Sequence, residues 1–237
     1  MPWVPELFTA PVLQELLDKR RREKLVAVPY FDGLLSGEPD ALLESFAGTP
    51  EVHDPVRGRV RGAQAFRAFA ADTREWLMQH HVSVEDVEHV VLGHRGFEEV
   101  VLHVDGETGP LALGFVIVAD READGRIDEL RLYYSNRPLA GRHANRPPLL
   151  QPDPELQEPD VVAEHRRALA TGIQLEHCTL IDDGRVCALE YNIVRRGEQY
   201  LPPQAGVAVY VRDPSGKLAT ARLYDDADPP LGQLPAL

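Results

Sequence analysis

One pattern occurs twice in this chain, and it constrains the fold more than any single residue does. Residues 114–136, "GFVIVADREADGRIDELRLYYSN", and residues 206–228, "GVAVYVRDPSGKLATARLYDDAD", share a glycine, an apolar strand, a turn glycine followed by a basic residue, and then Arg-Leu-Tyr. Arg131, Leu132 and Tyr133 match Arg222, Leu223 and Tyr224. Self-similarity of this kind marks one supersecondary unit used again. The second occurrence has one helix before it and nothing to match residues 30–62, so it reads as a trimmed duplicate.

The segments around the repeat fix the class. Leu13, Leu16, Leu17, Leu25 and Val28 recur at helical spacing, which predicts a helix from Pro11 to about Leu35, broken or kinked at Pro29. "EPDALLESF" starts a further helix with Pro39 and Asp40 in its first turn, and residues 63–79 form another, apolar at Phe66, Phe69, Ala70, Trp76 and Leu77. After it the chain turns to alternating or β-branched runs, "HVSVEDVEHVVLG", "FEEVVLHVDG", "PLALGFVIVADR" and "RIDELRLYYSN", which predict strands. Helices followed by a strand meander predict an α+β fold, one strongly curved antiparallel sheet wrapped around helices. The proline-rich stretch over 141–159 is a linker or a surface-hugging arm. Beyond it "DVVAEHRRALATG" is a helix, and "EHCTLIDDG", "RVCALEYNIVRRG", "GVAVYVRDPSG" and "KLATARLYDDADPPLG" are strands. The division is therefore a helical arm over 1–24, a first unit over 25–140, a linker over 141–159 and a shorter second unit over 160–237.

Several function classes are disfavoured. A net charge of −13 opposes a phosphate backbone, which argues against nucleic acid. The one basic run, "KRRR" at 19–22, lies among Asp18 and Glu23 and reads as a solvated face. No apolar run is long enough to cross a bilayer and the opening residues lack the order of a secretion signal, so the expectation is a cytoplasmic protein without membrane partners. Four histidines in "HHVSVEDVEHVVLGH" are too far apart at strand spacing to share an ion, and no metal or cofactor is expected. Cys178 and Cys187 flank "IDDG"; a two-residue turn at Asp182 and Asp183 places them opposite each other, although two reduced, buried thiols account for them as well.

The chemistry concentrates in "VHDPVRGRVRG". Asp54 either ends a strand and caps the turn that Pro55 and Gly58 shape, or points inward as a base whose pKa apolar walls raise. Strand alternation sends His53 to the opposite face. Tyr30 is either a core tyrosine or a pocket hydroxyl. His103, with Val101 on the same face, is either a packed residue or a pocket residue. Glu190 is placed to face the other unit, whereas Asp225 and Asp226 read as an exposed end.

Tyr30, Gly37 and Asp54, with the context "HDPV", reproduce the spacing of the ketosteroid isomerases. The chain thereby resembles the nuclear transport factor 2-like superfamily, which includes SnoaL-like polyketide cyclases and limonene epoxide hydrolases. The resemblance covers residues 25–140 well and 160–232 in part. It implies a cystatin-like cone with an apolar pocket, sheet-to-sheet pairing that the two units can make within one chain, and a homodimer as a further option. It also implies that Asp54 takes a proton beside a carbonyl while Tyr30 hydrogen-bonds the oxygen. The family's second oxyanion donor falls on Val116 or Ile117, neither of which can donate, and Tyr134 falls where the family has a pocket aromatic. Tyr134, His103, Val116, Ile117, Phe66 and Trp76 are accordingly the expected substrate-facing residues. The Asp-Arg-Asp group of the epoxide hydrolases has no match; Arg131 stands on a suitable strand, but no pair of aspartates flanks it. The implied function is a cofactor-independent acid/base enzyme, an isomerase or cyclase, acting on a hydrophobic carbonyl compound of polyketide or terpenoid type. The alternative is a non-catalytic small-molecule-binding or assembly protein of the same fold.

Overall fold

The computed structural model describes residues 30–35, 39–106, 109–168, 173–196 and 199–227. The arm expected over 1–24, with its basic run, and most of the first predicted helix lie outside the described residues. Three helices, α1 (Tyr30–Leu35), α2 (Pro39–Glu44) and α3 (Ala63–Gln79), precede or interrupt a sheet whose first strands are short, β1 (Glu51–Asp54) and β2 (Gly58–Arg61). Four long strands follow, β3 (Ser83–Leu92), β4 (Arg95–Gly106), β5 (Gly109–Arg121) and β6 (Ile127–Tyr133). The strand order is β2-β1-β6-β5-β4-β3. Every pairing is antiparallel except β1 with β6, which run parallel with Val52 opposite Leu130. The sheet is therefore mixed, antiparallel except at this one seam. β1 joins the outer edge of a meander that has not yet been built, and the intervening helix and strands form the crossover that a parallel pair needs.

Alternation divides the sheet into two buried faces. Val100, Leu102 and Val104 on β4, Leu113, Phe115 and Ile117 on β5, and Leu130 and Leu132 on β6 meet Tyr30, Leu34, Leu42, Phe66, Phe69 and Leu77 of the helices. Phe97, Val116, Val118 and Tyr133 face the other way, onto a second sheet. Burial on both sides explains why "GFVIV" is apolar without a break. Each fully buried side chain of this size contributes roughly 1.5–3 kcal/mol.

After α4 (Arg137–Ala140) and the linker, α5 (Asp160–Ala168) precedes β7 (Gln174–Asp182), β8 (Val186–Arg196), β9 (Gln199–Arg212) and β10 (Leu218–Asp225), an antiparallel sheet in the order β10-β9-β8-β7. These strands retrace β3 to β6 without a gap. Glu99 pairs with Val116 and Val116 with Tyr133; Glu190 pairs with Val207 and Val207 with Tyr224. The irregularity between Asp86 and Glu88 recurs between His177 and Thr179. Turn glycines with positive φ, Gly93 and Gly125, recur as Gly184 and Gly216. Gly114 and Gly206, aligned by the sequence reading, are one place out of register, and Gly206 falls on Phe115.

The two sheets pack face to face through reciprocal contacts. Arg131 donates to both carboxylate oxygens of Glu190, at 2.7 and 3.0 Å, and the Tyr133 hydroxyl donates to the same group at 2.6 Å. Arg222 donates to both oxygens of Glu99, at 2.5 and 2.7 Å, and the Tyr224 hydroxyl donates to it as well. Residue i meeting j while the counterpart of j meets that of i is the pattern of a two-fold, isologous interface. Glu190 faces the other unit as expected, whereas Asp225 and Asp226 are buried, not an exposed end.

The hairpin prediction around the cysteines is corrected. The β7–β8 turn spans Asp183, Gly184 and Arg185, and Cys187 lies opposite Asp182. Cys178 occupies the irregularity, so the thiols are not paired; both are free and buried, and burial pushes each up to about 12. No helix among the described residues is long and apolar enough to cross a membrane.

Candidate functional site

Asp54 ends β1 on the buried phase of an alternating strand, so its carboxylate enters the first unit while His53 points away. Its Oδ1 accepts the backbone N–H groups of Val56 and Arg57, at 2.8 and 2.7 Å, which is the turn-capping role. Its Oδ2 accepts the hydroxyl of Tyr134 at 3.0 Å. The turn-capping reading is met by Oδ1, and the carboxylate also points inward, with Oδ2 on a side-chain partner. Oδ1 is held by two fixed backbone donors, whereas the partner of Oδ2 is a rotatable hydroxyl.

A cavity of about 260 Å³ opens beside this carboxylate. Its walls are Phe31, Leu77, Leu102, Leu113, Phe115 and Leu132, and its rim carries Val56, Arg57, Thr73, Asn136 and Leu139. Trp76 and Tyr30 also line it. The volume lies just under the ~300–1,000 Å³ of sites for drug-sized ligands and favours a compact occupant. Tyr134 stacks on Phe115 with centroids 4.8 Å apart, fixing the ring that carries the hydroxyl. Arg57 lies over Phe69, 5.3 Å from its centroid, and is bridged to Asp72 at 3.1 Å. A wider cleft of about 590 Å³ runs between α1 and α3, but no buried polar groups converge on it.

The Tyr30 hydroxyl is buried and has no hydrogen-bond partner among the described residues. Burial raises its pKa well above 10, and the charge of Asp54 and the presence of Tyr134 raise it further. Burial likewise raises that of Tyr134, with Asp54 adding to the effect. Both phenols therefore keep their protons. That of Tyr134 is hydrogen-bonded to Asp54, and that of Tyr30 meets no acceptor among the described residues. An orphaned buried hydroxyl costs on the order of 1–3 kcal/mol, so its retention calls for an explanation.

Tyr30, Asp54, Trp76 and Tyr134 meet on one cavity, but the other expected residues do not. His103 is exposed and its Nε2 lies 2.7 Å from Glu85 on the neighbouring strand, because the inward phase of β4 belongs to Leu102 and Val104. Val116 faces the second sheet. Ile117 faces inward but lies deeper, and Phe66 packs under Phe46 with centroids 5.3 Å apart, one turn beyond the cavity wall. Arg131 points away from the cavity, toward Glu190.

Sequence reasoning missed Arg146. This buried residue of the linker donates through Nη1 to the carbonyl of Leu132 and through Nη2 to that of His53, at 2.6 Å, and lies over the Tyr133 ring. It stands behind Asp54, where the parallel β1·β6 pairing ends. Burial lowers its pKa, and the neighbouring Tyr133 and Asp54 oppose that shift. On the far face Glu51, His53 and Glu129 group closely enough to hold an ion, but Arg59 and Arg61 are paired with Glu51, and Arg131 with Glu129.

The chain matches no protein-family model and no curated protein. Among solved structures it is similar to an epoxide hydrolase/cyclase-like enzyme with a role in pyran ring formation in the polyether salinomycin, at 20% identity over 50% of this chain and 93% of the other, with a TM-score of 0.39. It is also similar to a protein with a ketosteroid isomerase-like fold from Catenulispora acidiphila, solved with trimethylamine, at 21% identity over 49% and 92%, TM-score 0.39. A nuclear transport factor 2-like protein of unknown function from Cytophaga hutchinsonii matches at 14% identity over 43% and 89%, TM-score 0.37. Each of these matches spans about half of this chain.

Proposed function

We propose that the first unit is a cofactor-independent acid/base enzyme of the isomerase or cyclase type, acting on a compact hydrophobic carbonyl compound of polyketide or terpenoid type. The observation that carries this reading is the uncommitted Tyr30 hydroxyl, buried on the same cavity as Asp54. In the proposed step Asp54 Oδ2 takes a proton from the carbon next to the carbonyl, as the Tyr134 hydroxyl turns aside. The electron pair of the broken C–H bond moves to the carbonyl oxygen, and Tyr30 donates a hydrogen bond to that oxygen as it gains charge. The enolate then takes the proton back from Asp54 at another carbon, which isomerises the compound, or attacks a second carbonyl carbon of the same molecule, whose C=O π pair becomes an alkoxide that takes the proton from Asp54, which closes a ring. Apolar walls exclude water from the carbanionic intermediate and hold the reacting atoms together.

The second unit enters this reading as a shortened copy of the first, serving as its built-in partner. The gapless strand correspondence and the reciprocal Arg–Glu–Tyr contacts support it. Its own cavity position is taken up by Tyr191, whose ring covers Gly206 and whose hydroxyl donates to Asp225 at 3.2 Å.

The test uses a panel of small apolar ketones in deuterated water, with proton loss beside the carbonyl followed by NMR. The wild type is expected to exchange these protons and Asp54→Asn is not. Equal rates for the two, with ketone still bound in the cavity, point instead to a non-catalytic binding protein.

A further inference from the structure

The second unit does more than cover a sheet. Asp226, at the end of β10, is almost fully buried and its carboxylate gathers the start of the linker: Oδ1 accepts the Ser135 hydroxyl at 2.6 Å and lies 3.0 Å from His143 Nδ1, and Oδ2 accepts the backbone N–H of Ala144. The Asp226 carbonyl accepts the N–H of Asn145 at 3.3 Å, and the N–H of Ala205 on β9 donates to the carbonyl of Arg146 at 2.9 Å. Three consecutive linker residues are therefore tied to the second unit. Asn145 is held at a φ of 51°, a left-handed conformation that asparagine tolerates and most side chains do not.

This anchorage delivers Arg146 to the seam between β1 and β6. Its guanidinium bonds the carbonyl of His53, the residue before Asp54, and the carbonyl of Leu132, two residues before Tyr134. The parallel ladder gives two register pairs and ends there, so these carbonyls need a donor from elsewhere. A rigid, planar fork suits two oxygens on separate strands, which a lysine ammonium does not. The strands so joined carry the two groups that meet at 3.0 Å in the cavity.

We propose that Asp226 and Arg146 are positioning residues for the Asp54–Tyr134 pair, so that the site of the first unit is completed by the second. Asp226 fixes the linker, the linker presents Arg146, and Arg146 sets the spacing of the strands that bear the pair. The inference rests on the reading of Asp54 and Tyr134 as part of the site, but its readout needs no substrate, so either can fail without the other.

The experiment is NMR on the full chain with the Asp54 carboxyl carbon and the Tyr134 hydroxyl proton as probes. Asp226→Ala and Arg146→Lys are each expected to shift the Asp54 resonance. Each should also speed exchange of the Tyr134 hydroxyl by roughly tenfold, about what the loss of one hydrogen bond allows. Glu99→Gln removes a charge from the same inter-sheet face away from the linker, and should leave both probes in place. If Asp226→Ala does not fold, Arg146→Lys, which keeps the positive charge and most of the volume, carries the test alone. Unchanged probes in Arg146→Lys, or equal changes in Glu99→Gln, would overturn the proposal, the second by showing general loosening in place of positioning.

Discussion

Tyr30→Phe separates the catalytic reading from a structural one, because the two require opposite changes in stability and activity. The hydroxyl is buried without a partner among the described residues, so the folded protein bears the cost of its desolvation. Removing it recovers on the order of 1–2 kcal/mol and leaves the ring in its edge contact with Phe31, at a centroid distance of 5.1 Å. For a chain of 237 residues this raises the melting temperature by roughly 2–8 °C, at about 2–4 °C per kcal/mol. The same change deletes the donor for the developing oxyanion and lowers the rate of ketone proton exchange by about a hundred- to a thousandfold. Thermal unfolding followed by circular dichroism and the deuterium-exchange assay read the two effects on one preparation. A variant that is less stable than the wild type would refute the reasoning. It would mean that a water or another group satisfies the hydroxyl in solution, and that no donor stands uncommitted in the empty cavity.

Three further outcomes are expected. Glu190→Gln leaves the fully buried Arg131 with Asp120 and Glu129 as its remaining carboxylate partners and costs roughly 1.5–3 kcal/mol, read as a lower urea midpoint, whereas Glu99→Gln costs less because its partner Arg222 is 30% exposed and can turn to water. Below pH 4.5 stability falls as Glu129 takes up a proton. Burial alone would push this group up, but hydrogen bonds from His53 and Arg131 outweigh it and hold it at about 2, so its contribution is present above the ordinary carboxylate range and is lost toward pH 2. Urea midpoints measured across that range should flatten in Glu129→Gln. Deletion of residues 151–237 bares Phe97, Val116 and Val118, and the fragment is expected to be insoluble or newly dimeric in sedimentation; a soluble monomer would contradict the partner role of the second unit.

What the sequence disclosed and withheld follows from the range of the interactions involved. Helix α3 and the long strands were legible because periodicity is local, and Asp54 was legible because the inward phase of so short a strand is marked by Val52 beside it. The phase of β4 was not, since "VVLHV" is apolar at positions of both parities, and His103 was placed on the wrong face for that reason. Val116 and Ile117 posed the same ambiguity in a strand buried on both sides. Arg146 gave no signal at all. It lies in a proline-rich stretch without periodicity, and its bond to His53 joins residues 93 positions apart.

The corresponding residues of the two units show which constraint each sheet face has kept. On the faces that meet, Glu99, Arg131 and Tyr133 recur as Glu190, Arg222 and Tyr224, each arginine and tyrosine bound to the opposite glutamate. On the inner faces the residues have diverged together: Val100 becomes Tyr191, Phe115 becomes Gly206 and Tyr134 becomes Asp225. A Cβ at Gly206 would stand 2.7 Å from the Tyr191 ring, so the ring in this position requires a glycine there. Tyr134 in the first unit donates to an acid across a cavity; Tyr191 in the second donates to an acid that stands in the place of Tyr134 itself. The ring of Tyr191 fills the space where the first unit keeps a cavity wall, in a core that Val161 and Val162 of α5 share with Leu156 and Ala227. The Arg–Glu–Tyr contacts recur on the faces that meet, whereas the interior of the second unit is arranged around the ring of Tyr191.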